Sequence, residues 1–124
     1  YLKKSIMNIR KVYTLICYII FMIFNSVISA PYYSHYIWRY DKYIHFVEFF
    51  ILGILVVNIF IPNTSRVKLA FSLILVASIA ALDESVQIFF PNRIPDIDDF
   101  IVDVQGGFIG SMCSFIYYTY IKKT

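Results

Sequence analysis

Prolines break this chain at only three places: Pro31, Pro62 and the pair Pro91 and Pro95. A proline ends a helix because it lacks an N–H donor and clashes with the preceding turn. The stretches between the breaks are strongly apolar and run roughly from Val12 to Ser29, Tyr43 to Ile61, Leu69 to Phe90 and Phe100 to Ile121. Each is near the ~17 to 25 residues that a bilayer-spanning helix needs. Of the 124 residues, 60% are hydrophobic and 15% charged, against about 25% charged in ordinary globular domains. So little polar surface cannot cover a soluble core of this size, and lipid has to cover it instead. Inside lipid only a helix or a closed barrel satisfies its own backbone. There is no two-residue alternation of the kind a barrel strand needs, no internal repeat and no low-complexity tract. The expected fold is all-α, a polytopic four-helix transmembrane bundle forming one domain over residues 1–124.

The basic residues give an orientation. Of the eleven Lys and Arg, eight (Lys3, Lys4, Arg10, Lys11, Arg66, Lys68, Lys122 and Lys123) flank one side of the expected bundle, and Arg39, Lys42 and Arg93 flank the other. The positive-inside bias puts the larger group, and both termini, in the cytoplasm. Acids contribute little to that rule. Their placement is therefore independent information, and all eight fall at or near the outer ends of the helices. The net charge of +3 comes from the cytoplasmic flanks and suggests no nucleic-acid role.

The first segment also resembles a cleavable signal peptide, with a basic start, an apolar run and small residues at Ser29-Ala30. Its apolar run is longer than the usual ~7 to 15 residues, and Pro31 directly after the cut disfavours processing, so it is read as a retained helix. The chain opens on Tyr1, which leaves Met7 or an upstream residue as the start. Cys17 and Cys113 are expected to be buried apolar fillers without a role. The Asn63-Thr64-Ser65 sequon falls in the expected cytoplasmic loop and carries no meaning there. Tyrosines near helix ends read as interfacial anchors.

The polar residues form stripes. Asp41, His45 and Glu48 are spaced i, i+4, i+7, within about 60 degrees of one another on a helix. Asp83 and Gln87 repeat the i, i+4 spacing, with Glu84 at the edge of their face. Asp99, Asp103, Gly106 and Gly110 again share one face, and Gly106-xxx-Gly110 lets another helix approach closely beside the acids. An ionised side chain at the bilayer centre costs at least ~2.5 to 3.5 kcal/mol, so the three stripes are expected to face one another or a water-filled cleft. Arg93, in the loop after the third segment, is the natural counter-ion for carboxylates or a phosphate. Two structural readings compete with a ligand site. Asp41 and Asp99 sit where an acid caps a helix, and His45, Glu48, Glu84, Gln87 and Asp103 would also serve as a hydrogen-bond network that only fixes packing.

Taken together, Asp41-Lys42-x-x-His45-Phe46 with Gly53, then Glu84-x-x-Gln87-x-x-x-Pro91-x-Arg93, then Asp99-x-x-x-Asp103-x-x-Gly106-x-x-x-Gly110 resemble the VanZ-like family of small bacterial membrane proteins. The match spans about residues 41 to 110, and several spaced motifs in the right order make it specific. This chain has Asp103 where the family usually has asparagine, and Asn92 where it often has glycine. The resemblance implies a cell-envelope protein, associated in some members with resistance to teicoplanin, a lipoglycopeptide that acts at the outer membrane surface.

Three functions are weighed. The first, favoured one is a pocket at the extracytoplasmic side that binds a polar lipid headgroup or a lipid-linked cell-wall precursor. It would use Asp41, Lys42, His45, Glu48, Asp83, Glu84, Gln87, Arg93, Asp99 and Asp103, with a divalent cation as a plausible cofactor. Gly53, Gly106 and Gly110 serve helix packing. The second is an intramembrane hydrolase or transferase with His45, Glu48 and Glu84 as catalytic candidates, or with His45, Glu48, Glu84 and Asp103 as metal ligands. No serine or cysteine nucleophile is evident at pocket depth. The third is a small transporter, for which four helices are few unless the chain forms a homo-oligomer, or a purely structural bundle.

Overall fold

Two of the helix starts are written in short polar side chains. Ser65 Oγ accepts the Lys68 N–H at 3.3 Å, and the Asp96 carboxylate accepts the Asp98 N–H at 2.9 Å, each satisfying a donor that the first helical turn leaves open. The computed structural model describes residues 2–28, 38–61, 65–90 and 95–122. Over these residues it is all-α, with α1 Leu2–Ile28, α2 Trp38–Ile59, α3 Arg66–Gln87 and α4 Ile97–Ile116. A π-helical turn, Tyr117–Ile121, extends α4. Each helix contains a stretch long and apolar enough to cross a membrane. Pro31, Pro62 and Pro91 lie outside the described residues. Pro95 immediately precedes the Asp96 cap of α4.

Every helix begins earlier than its apolar run. α1 starts ten residues before Val12, and α2 includes Trp38 to Lys42 ahead of the oil. Helices end where caps stop them, whereas the sequence reading marked where apolarity begins. The C-terminal ends are closed by other means. Lys11 Nζ donates to Asn58 O at 2.9 Å and Ile61 O at 3.1 Å, satisfying carbonyls at the end of α2 with a cation that suits the helix dipole. Phe89 N–H and Phe90 N–H turn back to Val86 O and Gln87 O, both at 3.1 Å, so tight turns continue α3 to Phe90.

The central interface is between α2 and α4, and glycine makes it. A Cβ added at Gly106 would collide with the Phe46 carbonyl, one at Gly110 with the Phe50 carbonyl, and one at Gly53 with the Gly107 carbonyl and the Ser111 backbone. The two backbones therefore touch, which is what small residues permit between helices in lipid. The register rises together along both helices, Phe46 to Gly106 and Phe50 to Gly110, so α2 and α4 run parallel with α3 returning between them. Gly107 receives the Val76 side chain of α3. Leu15 and Met22 of α1, Phe49, Leu52 and Val56 of α2, and Val76, Ile79 and Ala80 of α3 form the buried core, with Phe100 and Val104 of α4 packed against it.

Outside this core the bundle is oily. Phe21, Phe24, Ile51, Phe71, Ile74, Phe108 and Ile109 are all exposed, a surface that water would not tolerate and acyl chains cover without cost. Ser78 and Ser85, exposed on α3, turn their hydroxyls back to the carbonyls four residues earlier at 2.9 Å and 2.6 Å, which hides the polar atoms from lipid. Cys17 and Cys113 are exposed on the same apolar surface, so the expectation that both thiols are buried is corrected. Each faces outward from its helix instead of filling the core.

Candidate functional site

The ends of α1 and α3 and the beginnings of α2 and α4 lie on one side of the bundle, and the polar side chains concentrate there. His45 lies seven residues into α2, Asp103 six residues into α4, and Asp83 four residues from the end of α3. At 1.5 Å per residue these positions stand about 6 to 11 Å below the helix ends, at a common depth in the bundle.

The α2–α4 contact sets the first pair. One turn from the Phe46–Gly106 approach, His45 Nδ1 stands 3.0 Å from Asp103 Oδ1, with His45 3% exposed and Asp103 0%. Asp103 Oδ2 is also buried and has no hydrogen-bond partner among the described residues. From α3, Asp83 comes close to this pair. One donor atom each from His45, Asp83 and Asp103 lie within 4.8 Å of one another, and all three residues are buried. A second group with the same spread, Asp41, His45 and Asp99, shares His45 and lies nearer the helix starts.

α1 completes the cluster, which the sequence reading did not foresee. Ser26 Oγ donates to Asp83 Oδ2 at 2.9 Å and accepts from Gln87 Nε2 at 2.9 Å. The Gln87 amide also reaches Asp83 Oδ2 and Glu84 Oε1, each at 3.5 Å. Asn25 Nδ2 donates to Glu48 Oε1 at 2.6 Å, and the Tyr18 hydroxyl donates to the Glu48 carbonyl at 3.0 Å. The signal was present in the sequence as Asn25-Ser26, two polar residues inside an apolar run. A serine does stand at the depth of the acids, where none was evident from the chain alone.

The remaining acids frame the mouth. Lys42 Nζ lies 3.5 Å from Asp99, 3.7 Å from Asp98 and 3.8 Å from Asp96. Glu84 Oε2 accepts the Asp96 N–H at 3.1 Å, which ties the end of α3 to the start of α4. Asp96 is the N-cap of α4, so Asp99 is free of that duty and turns inward, 9% exposed. Asp41 lies in the first turn of α2, after the helix has begun.

Of the residues singled out from the sequence, the structure thus brings His45, Asp83, Gln87 and Asp103 into one buried group, with Asp41 and Asp99 beside it and Lys42 at the rim. Glu48 and Glu84 belong to neither close donor group. Glu48 is held by Asn25, and Glu84 by the α4 backbone. Arg93 lies outside the described residues. Gly53, Gly106 and Gly110 all stand at the α2–α4 contact.

Chemically, the cluster offers carboxylates, one imidazole, one hydroxyl and one carboxamide, mostly buried, beneath a partly exposed rim that includes Lys42 and Asp98. Such a donor set suits a cation, a polyhydroxylated group or an amine. No curated protein and no solved structure matches the chain. The family model described as VanZ/LLP1 matches residues 3–118, nearly its whole length and all four helices. The chain belongs to the VanZ/LLP1 family.

Proposed function

We propose that this protein is a multi-pass bacterial cell-membrane protein, with both termini cytoplasmic, that binds a polar lipid headgroup or a lipid-linked cell-wall precursor. The binding place is an outward-facing pocket around His45, Asp83, Gln87, Asp99 and Asp103. The observation that carries this reading is the convergence of polar side chains from all four helices at one end of the bundle, within about 11 Å of the helix ends. Burying carboxylates there costs several kcal/mol per ion unless they are paired or hydrogen-bonded, and intramembrane ionisable groups mark ligand or ion paths by default. The headgroup of a lipid diffusing in the same leaflet reaches that depth without leaving the membrane. A link to teicoplanin resistance follows from the same placement, since that drug and its targets meet at the outer surface.

A second reading, an intramembrane hydrolase or transferase, is favoured by the His45–Asp103 contact of 3.0 Å. A carboxylate so placed orients an imidazole as a general base. One experiment addresses both readings. The protein is placed in nanodiscs of phosphatidylcholine with a trace of a labelled polyprenyl phosphate, and retention and release of label are followed. Retention that Gln87→Ala and Asp99→Asn abolish is the expected outcome. Retention equal in the wild type and both variants, or none at all, refutes headgroup binding. Turnover of the label that His45→Gln stops shifts the case to the enzyme.

A further inference from the structure

We infer that His45, Asp83 and Asp103 form a binding site for one divalent first-row transition-metal ion. The inference rests on the headgroup reading only in using the same cluster, and it adds the partner that would let an acid-lined pocket hold a phosphate. Three observations support it.

The first is the donor set. One ligand atom from each residue lies within 4.8 Å of the others, and all three residues are buried. Two ligands bound at about 2.1 Å and at right angles stand about 3.0 Å apart, and opposite ligands about 4.2 Å. The 3.0 Å between His45 Nδ1 and Asp103 Oδ1 already matches one edge of such a polyhedron. The third donor, from Asp83, lies within the 4.8 Å spread of the group.

The second is an orphaned atom. Asp103 is completely buried, and its Oδ2 has no hydrogen-bond partner among the described residues. A buried acceptor left in that state keeps its full desolvation penalty, and the penalty is larger when it is charged. Native proteins keep few such atoms, and an ion is one of the standard reasons for those they do keep.

The third is the balance of charge. Asp83 and Asp103 bring two carboxylates into a site with a single imidazole. Asp41 and Asp99 form a second group around that same imidazole. Lys42 is drawn to the rim by Asp96, Asp98 and Asp99. A dication at the centre offsets what His45 alone cannot.

The ligand types narrow the metal. An imidazole nitrogen with two carboxylates suits Mn²⁺, Fe²⁺, Co²⁺ or Zn²⁺ better than Mg²⁺ or Ca²⁺, which prefer oxygen alone. Three protein ligands leave at least one position open to a water or to an oxygen of a bound headgroup. Gln87 and Ser26, both hydrogen-bonded to Asp83, hold that carboxylate in place as outer-shell partners do.

The test uses the purified full chain in detergent, stripped with a chelator and dialysed, with Mn²⁺ as the probe read by electron paramagnetic resonance. One tightly held Mn²⁺ per chain is expected, displaced by Zn²⁺ and not by equal Mg²⁺. Asp83→Asn and Asp103→Asn should each weaken it by ~10- to 100-fold or more, while Asp98→Asn, an exposed acid at the mouth that belongs to neither donor group, stays within about threefold. A wild type that holds Mn²⁺ no more tightly than Asp103→Asn overturns the site. Loss in Asp99→Asn with retention in Asp83→Asn overturns this choice of ligands in favour of the Asp41 group. Should the variants fail to fold, the wild type still decides: its thermal midpoint must rise with Mn²⁺, and an unmoved midpoint refutes binding. No lipid enters this titration, so its failure leaves headgroup binding standing. Headgroup retention that persists in chelator would in turn count against the ion alone.

Discussion

Replacing Gly106 and Gly110 by alanine tests the contact on which the whole site depends, because two effects of known sign oppose each other. Alanine is the better helix former, by about 0.8 to 1.0 kcal/mol per position. If α2 and α4 merely passed near each other, each substitution would therefore stabilise the protein. The geometry requires the reverse. The new methyl at Gly110 would overlap the Phe50 carbonyl, and the one at Gly106 the Phe46 carbonyl. Those atoms are backbone within a neighbouring helix, so they cannot rotate away as the tip of a flexible side chain would. Ordinary contact starts at 3.4 Å, so the helices must separate by on the order of 1 Å, which forfeits a large part of the dispersion energy along the seam. Overpacking of this kind costs about 1 to 3 kcal/mol, with the upper end expected against rigid backbone. After subtraction of the propensity gain, each variant should lose on the order of 1 to 2 kcal/mol. Reversible unfolding in mixed micelles measures this. Ala81→Leu, at an exposed position on α3, serves as the control and should change little. A Gly110→Ala protein as stable as the wild type or more so would refute the close approach, and the registration of His45 on Asp103 with it.

Two further outcomes follow from the polar end of the bundle. Lys42→Ala should cost no more than about 0.5 kcal/mol in thermal unfolding, because its three ion pairs are 3.5 to 3.8 Å long and its side chain is 32% exposed; a loss of several kcal/mol would mean that the rim holds the helices together. Ser26→Ala should cost about 1 to 3 kcal/mol by removing the donor to Asp83 and the acceptor of Gln87 together. Tested against Gln87→Ala in a double-mutant cycle, it should show strong coupling, and additive losses would contradict the shared network.

The four helices could be read from the chain because lipid imposes a severe rule: apolar runs of spanning length, cut by proline, leave few other folds. Their ends could not, since a cap such as Asp96 is set by one side chain accepting one N–H, while the start of an apolar run reports only solvent. The polar stripes on α2, α3 and α4 were visible as periodicity. Which members meet was not, because pairing depends on the axial register of neighbouring helices, and that register is fixed by Gly106 beneath Phe46 and Gly53 beside Gly107. Glu48 shows the consequence. It shares the i, i+4, i+7 stripe with Asp41 and His45, yet it is drawn to Asn25 on α1 and stays outside the close donor groups. Asn25 and Ser26 carry little signal in the sequence, because they fall near the end of an apolar run, where polarity looks like an exit from the membrane. The same two residues, three and two positions before the end of α1, are what tie that helix to the site.

The arrangement separates what holds the bundle from what the bundle holds. Glycine contacts and the apolar core lie on the inner side of the cluster, where the buried polar side chains are the serines Ser72, Ser111 and Ser114 and not acids. His45, Asp83 and Asp103 lie beyond them, where each buried charge is a cost that the packing below must offset. If the acids existed only to fix helix pairing, neutral amides would serve as well at a lower desolvation cost, and Gln87 shows that the chain uses an amide where hydrogen bonding suffices. Asp83 and Asp103, both buried beside one histidine, therefore cost more than amides would unless they are paired or bind a ligand. The proposed cation site and the proposed headgroup site both use that charge, and proton transfer at His45 would use it as well. The α2–α4 seam sets how far apart the imidazole and the Asp103 carboxylate stand, so a shift of 1 Å there would change the spacing of every donor that such a ligand must find.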